Sequence, residues 1–366
     1  MKTAISLSAT SVAILFSVSG AFAEEPLHQP GLLVEFPTHL NSPASMALDS
    51  AGNLYVTSPN FHSEALIKAG AMSEVAPPAI ARIDAENRIE TWYTFGPEDM
   101  DPKSGLIGPF GVTFGPDGNM YFADMQLWFG GTSRIVRINV ENGQATGLET
   151  VVEGTSFPNA LVWRGDDLFL TDTVLAERED GKHVSGLYRF NLSELNGDNP
   201  VIVSPFVLDG EADPHLFETF VSNGTLKFGA NGLAVDSDGN LYTSIMEDGT
   251  IVKTSLDAAG NLVRTDVFAS GMKALDGMTY DPGTQKLYVT DLFTNSVYSV
   301  GLDGAVTLLA ANGDTDGSGG LLDAPAEVIV RGKEAIVTNF DAVFPSPDML
   351  NTAADMPITL SVIRLD

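Results

Sequence analysis

The chain contains no cysteine. No disulfide can staple it, and no thiolate can serve as nucleophile or zinc ligand. Histidine is scarce, with five in 366 residues, which argues against a histidine-rich transition-metal centre. Basic residues are few: 19 Lys and Arg face 48 Asp and Glu, for a formal charge of −29. Phosphate recognition needs clustered Lys and Arg, so nucleic acid and anionic membranes are not expected as partners. Such a surface attracts cations and resists aggregation. Hydrolase signatures are missing too, with no Gly-x-Ser-x-Gly elbow and no His-Glu-x-x-His pair.

Long apolar runs are absent but for residues 4–18, which follow Lys2 and precede Ala21-Phe22-Ala23, an A-x-A cleavage signal. The run is short for a bilayer and its flanks suit a secretory signal peptide over residues 1–23, with a membrane anchor as the competing reading. Removal of Lys2 takes the formal charge to −30. The mature chain, 24–366, is expected in the periplasm or outside the cell as a single domain with ample length for a large core.

What the sequence has in abundance is a repeat. Six times a turn leads into a short strand: Leu54-Tyr55-Val56-Thr57-Ser58, Met120-Tyr121-Phe122-Ala123-Asp124, Leu168-Phe169-Leu170-Thr171-Asp172, Leu241-Tyr242-Thr243-Ser244, Leu287-Tyr288-Val289-Thr290-Asp291 and Ala335-Ile336-Val337-Thr338-Asn339. Asp117-Gly118-Asn119 and Asp238-Gly239-Asn240 supply the positive φ angles of tight hairpins in front of it. A period of about 40–50 residues with several short strands signals propeller blades, which must stack around an axis to bury both faces. The prediction is an all-β, six-bladed β-propeller. Five fourth strands are visible, and the sixth blade lacks one before Asp366. A spare strand, Leu32-Leu33-Val34-Glu35-Phe36, is expected to complete that last blade and close the ring. Asp124, Asp172 and Asp291 recur at one position, which suggests a structural hydrogen bond made in several blades.

Insertions at 59–78, 125–132, 173–185, 206–229 and 341–357 are expected as bulky loops on one face, where loops carry function. Phe61, Trp128, Phe129, Phe217, Phe220 and Phe344 are available to roof a pocket there, or to pack the loops onto the scaffold. His62, His183 and His215 lie on the same insertions as surface residues or as a candidate base.

Aligned inner strands place Ala44, Phe110, Asn159, Asn231, Asp276 and Ala326 at the channel mouth. Asn and Asp are poor strand formers, so three at one structural position need a reason. Two amide oxygens and a carboxylate suit a hard cation such as Ca²⁺. Capping of strand ends through backbone hydrogen bonds is the alternative.

The phrases Pro158-Asn159-Ala160-Leu161, Ala230-Asn231-Gly232-Leu233 and Leu275-Asp276-Gly277-Met278, each followed by a hairpin and a Leu-Tyr or Leu-Phe strand, resemble the senescence-marker-protein/gluconolactonase propellers. Paraoxonase and diisopropyl fluorophosphatase are similar in architecture, and the resemblance spans the mature chain. It implies Ca²⁺ or another divalent cation on Asn159, Asn231 and Asp276, and hydrolysis of a lactone, ester or phosphoester. The family pattern begins the first inner strand with Glu-Gly-Pro, whereas this chain has Ala44-Ser45-Met46. Phe110 replaces a residue that is often polar. Together with Trp128, Phe129 and His62 it marks a pocket for a hydrophobic small-molecule substrate. Glu327 is the natural substitute for the missing acid, because strictosidine synthase carries a sixth-blade glutamate in a similar phrase. Alternation along a strand turns successive side chains to opposite faces, so a structural role for Glu327 in the blade interface is the alternative. Asp276 and Glu327 are thus the candidate catalytic pair, with a loop histidine as the other candidate base. The alternatives are a non-enzymatic binding propeller of the NHL type and a non-hydrolytic enzyme of the strictosidine-synthase kind. Asp314-Thr315-Asp316-Gly317-Ser318-Gly319 partly imitates a calcium loop, but position twelve is Pro325, so it reads as a Gly-rich link between blades.

Overall fold

Six sheets form the molecule, each built on four antiparallel strands, and they follow one another along the chain. The computed structural model describes residues 27–365, so the signal peptide expected over 1–23 lies outside the described residues. The inner strands of blades 1 to 6 are Met46–Leu48, Pro109–Phe114, Pro158–Arg164, Ala230–Val235, Leu275–Asp281 and Pro325–Arg331. Among the described residues no helix is long and apolar enough to cross a membrane.

The core is not one mass but a set of seams between blades. Tyr55 and Ile80 of blade 1 pack with Phe122 and Val136 of blade 2. Tyr121 and Ile135 of blade 2 then pack with Leu168 and Tyr188 of blade 3. The pattern continues to the closing seam, where Ile336 and Leu360 of blade 6 meet Leu54 and Val56 of blade 1. Consecutive residues of each second strand feed opposite seams, which is why those strands read as unbroken apolar runs.

The last blade is built from Pro325–Arg331, Glu334–Asn339, Thr359–Arg364 and the N-terminal strand Gly31–Glu35, in agreement with the sequence expectation. Gly31 pairs with Val362 and Glu35 with Thr359, and Phe36 donates its N–H to the carbonyl of Ile358 at 2.8 Å. Gly320, at φ +80°, lies so close under the Gly31 backbone that a Cβ there would collide with it. Deleting residues 27–37 is expected to lower the melting temperature by more than about 10 °C or to yield insoluble protein, because it bares two sheet edges and opens the closing seam. A deletion variant that melts with the intact chain would rule out this closure.

Two insertions are strands rather than loops. Residues 206–229 contain Leu216–Ser222, the outer strand of blade 3. Phe217 and Phe220 therefore pack in the seam between blades 3 and 4 instead of roofing a pocket. Residues 173–185 extend the Asp167–Glu177 and His183–Asn191 hairpin.

The recurrent acids are structural. Asp172 accepts from the N–H groups of Ser156 and Phe157, both at 2.7 Å, and Asp291 from those of Lys273 and Ala274 at 2.7 and 3.2 Å. Asp124 holds the Gly108 N–H at 2.8 Å. Each carboxylate fixes the turn that leads into its own blade's inner strand. One residue earlier, a hydroxyl links five of the six blades to the next. Thr57 donates to the carbonyl of Phe110 (2.9 Å), Thr171 to Asn231 (2.5 Å), Ser244 to Asp276 (3.0 Å), Thr290 to Ala326 (2.8 Å) and Thr338 to Ala44 (3.4 Å). Only blade 2 breaks the belt, with Ala123 at that position. Thr290→Val keeps the shape but orphans a buried carbonyl. It is expected to cost about 1–3 kcal/mol in denaturant unfolding. An unchanged midpoint would show that the belt is incidental.

Candidate functional site at the channel mouth

The belt holds the mouth carbonyls of every blade but the third, and so fixes where the mouth side chains point. Five of the six inner strands carry a β-bulge at that place. The register slips between Pro109 and Val112, Pro158 and Leu161, Ala230 and Leu233, Leu275 and Met278, and Pro325 and Val328. A bulge inserts one residue and interrupts the alternation of faces. Residues at two successive positions therefore face one recess: Ala44 with Ser45, Phe110 with Gly111, Asn159 with Ala160, Asp276 with Gly277, and Ala326 with Glu327, joined by Asn231 and Phe340. Glu327 thus faces the recess, contrary to what plain alternation implies. The recess is a small cavity of about 40 Å³.

Close packing around the axis explains the glycines. A Cβ on Gly277 would strike the Glu327 carboxylate and the Ala326 carbonyl, and one on Gly232 would strike the Asp276 carbonyl. Glu327 lies over the space that Gly277 leaves. Its Oε2 accepts from the Ser45 hydroxyl at 3.1 Å and its Oε1 from the Val328 N–H at 3.0 Å. Burial pushes Glu327 up to about 8, and the nearby Asp276 charge adds to the shift. Asp276 is pushed up to about 7 by burial, against the opposing hydrogen bond from Asn231. Asn231 is 4 % exposed, its amide nitrogen reaches the Met246 sulfur at 3.5 Å, and its Oδ1 is buried with no partner. Asn159 donates to the Thr173 hydroxyl at 3.4 Å.

An aromatic vestibule adjoins this polar floor and shares Phe110, Asn159, Asn231, Asp276 and Phe340 with it. Phe110, Trp128, Phe157, Phe228, Phe340 and Phe344 line it with Met246 and Leu292. Trp128 is 47 % exposed, so the vestibule opens to solvent at a large apolar ring. Phe129 and His62 stand behind this wall: Phe129 packs on Phe61 with ring centres 5.9 Å apart, and His62 donates Nε2–H to the Phe340 carbonyl at 2.8 Å. Burial lowers the His62 pKa, and its place behind the wall with Nε2 held by Phe340 makes it a prop for the vestibule. His183 is bound to the Thr173 carbonyl and His215 to Asp213, both away from the recess. None of these three histidines lines the site.

Ser45, Gly277, Phe157, Phe228 and Phe340 escape sequence reasoning. A signal exists for two of them: Phe157 directly precedes an inner strand and Phe340 directly follows a second strand, so repeat position marks both as rim residues.

The architecture matches solved propellers over almost its full length. A putative gluconolactonase shares 12% identity at a TM-score of 0.55, over 93% of this chain and 94% of that one. A gluconolactonase from Xanthomonas campestris shares 13% identity at 0.52, over 94% and 99%. A putative oxidoreductase (glucose dehydrogenase) from Thermus thermophilus shares 17% identity at 0.57, over 92% and 99%. In fold, the chain is a gluconolactonase-like β-propeller. At these identities the likeness establishes architecture alone. No protein-family model matches the sequence, and no curated protein does either.

Proposed function

We propose that this propeller is an exported, metal-dependent hydrolase of apolar lactones or esters. Lactonase and sugar-dehydrogenase propellers are its structural neighbours, and the site itself favours the hydrolytic branch. One observation carries the reading: the buried Asp276–Glu327 pair and the orphaned Asn231 Oδ1 meet at the floor of an aromatic vestibule. A buried amide oxygen without a partner costs free energy unless something occupies it. Asn159, Asn231 and Asp276 are hard oxygen donors and fit a divalent cation such as Ca²⁺. Bound there, the cation supplies Lewis-acid polarisation of a carbonyl.

The chain's own residues supply the rest. The vestibule excludes water and seats an apolar acyl or aryl group. Glu327, raised towards neutrality, accepts a proton from the attacking water as the C–O bond forms. It returns that proton to the leaving oxygen as the ester C–O bond breaks. Ser45 holds Oε2 and the Val328 N–H holds Oε1, so the carboxylate is fixed in orientation throughout. The leader at 1–23 is the basis for placing the protein in the periplasm or outside the cell.

Ala44 favours a second reading, a non-enzymatic binding propeller, since it places an apolar residue where the resembling hydrolases have an acid. A panel of aryl esters, aliphatic lactones, gluconolactone and phosphotriesters, run with Ca²⁺-replete protein, separates the two. Hydrolysis of the apolar esters or lactones, with gluconolactone turned over poorly, is the expected result. Saturable binding of apolar ligands with no turnover anywhere on the panel would replace the hydrolase by the binding propeller.

A further inference from the structure

A second group of acids lies outside the mouth. Asp323 sits in the turn entering the inner strand of blade 6, Asp341 follows that blade's second strand, and Asp355 lies near the end of the 341–357 segment. One carboxylate oxygen from each falls within 4.8 Å of the other two. Proximity of acids alone proves nothing, since many acidic clusters are merely solvated. Here, however, Asp323 is only 2 % exposed and its Oδ1 is buried without any hydrogen-bond partner. The Oδ1 of Asp355 is likewise buried and unpartnered. Asp341 is already oriented, as it accepts from the Asn351 amide at 2.8 Å and from the Asp355 N–H at 2.7 Å.

We propose that Asp323, Asp341 and Asp355 form a structural divalent-cation site, suited to Ca²⁺, that clamps the 341–357 segment to blade 6. The charges that act on Asp323 come from Asp341, Asp355, Asp314 and Asp316, all of one sign. Burial and those neighbours push Asp323 up to about 8, so without a cation the cluster resists full ionisation. Three converging carboxylates with two unfilled lone-pair sites suit a hard ion that takes about 6–8 oxygen ligands, with backbone carbonyls and water completing the shell. The segment that the ion would hold carries Phe344, which lines the vestibule, and is continuous with Phe340. The clamp thus steadies one wall of the mouth without contributing to its floor. It does not depend on the hydrolase reading.

The test is a calorimetric titration of the chelator-stripped chain with CaCl₂, alongside melting temperature and limited proteolysis of the 341–357 segment. Wild type should bind Ca²⁺, gain several degrees in melting temperature and protect that segment, because an ion bound only by the folded state stabilises it. Asp355→Asn should weaken this event at least tenfold and remove the protection. Asp323→Asn is nearly isosteric and relieves the repulsion, so it should fold at least as well as wild type without the ion yet lose the same response. Asp276→Asn, at the mouth, should leave protection of 341–357 intact, which distinguishes the two sites. Absence of Ca²⁺ binding in wild type would overturn the proposal, as would a response unchanged in both Asp355→Asn and Asp323→Asn.

Discussion

Glu327→Gln is expected to lower kcat on the preferred ester by roughly 10²–10⁴-fold, the usual contribution of a positioned general acid–base group. KM should change little, since the vestibule that seats the substrate is untouched. The pH profile is the sharper readout. Burial pushes Glu327 up to about 8 in the cation-free protein, and only its ionised form can take a proton from water. Wild-type kcat/KM should therefore rise with pH as Glu327 ionises and then level off, with a midpoint below the cation-free value of about 8 because the bound cation favours the carboxylate, whereas the residual activity of Glu327→Gln should lack that rise. The variant should fold at least as well as wild type, because a neutral amide replaces a buried carboxyl, its oxygen can accept from the Val328 N–H and its nitrogen can donate to the Ser45 hydroxyl. A fall of similar size with an unchanged pH profile would reduce Glu327 to a structural role.

The second large effect is on stability in the absence of divalent cations. Asp276 and Glu327 have folded-state values of about 7 and about 8, above their ordinary 3.8 and 4.5. Between those limits the folded protein binds more protons than the unfolded chain, so unfolding free energy declines as pH rises. The stabilisation is fully present below about pH 4 and is lost by about pH 8. Each pKa unit corresponds to about 1.4 kcal/mol, so the pair contributes several kcal/mol to the decline. Asp172, raised to about 6, and Asp341, raised to about 7, act in the same direction. Depressed acids such as Asp257 lose their contribution only below this window. The melting temperature of chelator-treated protein should thus drop by about 10 °C or more from pH 5 to pH 8. Ca²⁺ at pH 8 should restore most of it. General repulsion on so acidic a chain also falls in this direction, so the variants decide. Asp276→Asn and Glu327→Gln should each flatten the decline and raise the cation-free melting temperature at pH 8. A flat profile in wild type, or variants that match it, would contradict the assignment of these two groups as buried and near neutrality.

The blades were legible in the sequence because each second strand must feed two seams, which forces an apolar run, and in blades 3, 5 and 6 that run ends in Thr and then Asp or Asn. The closing strand was legible because the sixth repeat lacks its fourth member. Residues 216–222 were hidden by a long stretch before them, and alternation in Leu216–Ser222 is weak, as Leu216, Phe217 and Glu218 are all half-buried. At the mouth, Asn159, Asn231 and Asp276 stood out as poor strand formers at one repeated position. The direction of Glu327 did not, because it depends on a bulge, and no side chain in Ala326-Glu327-Val328 announces one. The vestibule was half visible: Phe110 and Trp128 line it, whereas Phe129 and His62 are one layer back. Loop aromatics carry no periodicity from which their depth can be read.

The most direct test of the central claim is the initial rate on an apolar aryl ester as a function of free Ca²⁺, for wild type and Asp276→Asn. A rate that saturates with Ca²⁺, disappears with chelator, returns on re-addition, and is lost or shifted to at least tenfold higher Ca²⁺ in Asp276→Asn is what the account predicts. A rate that is the same with and without chelator in both proteins would contradict it.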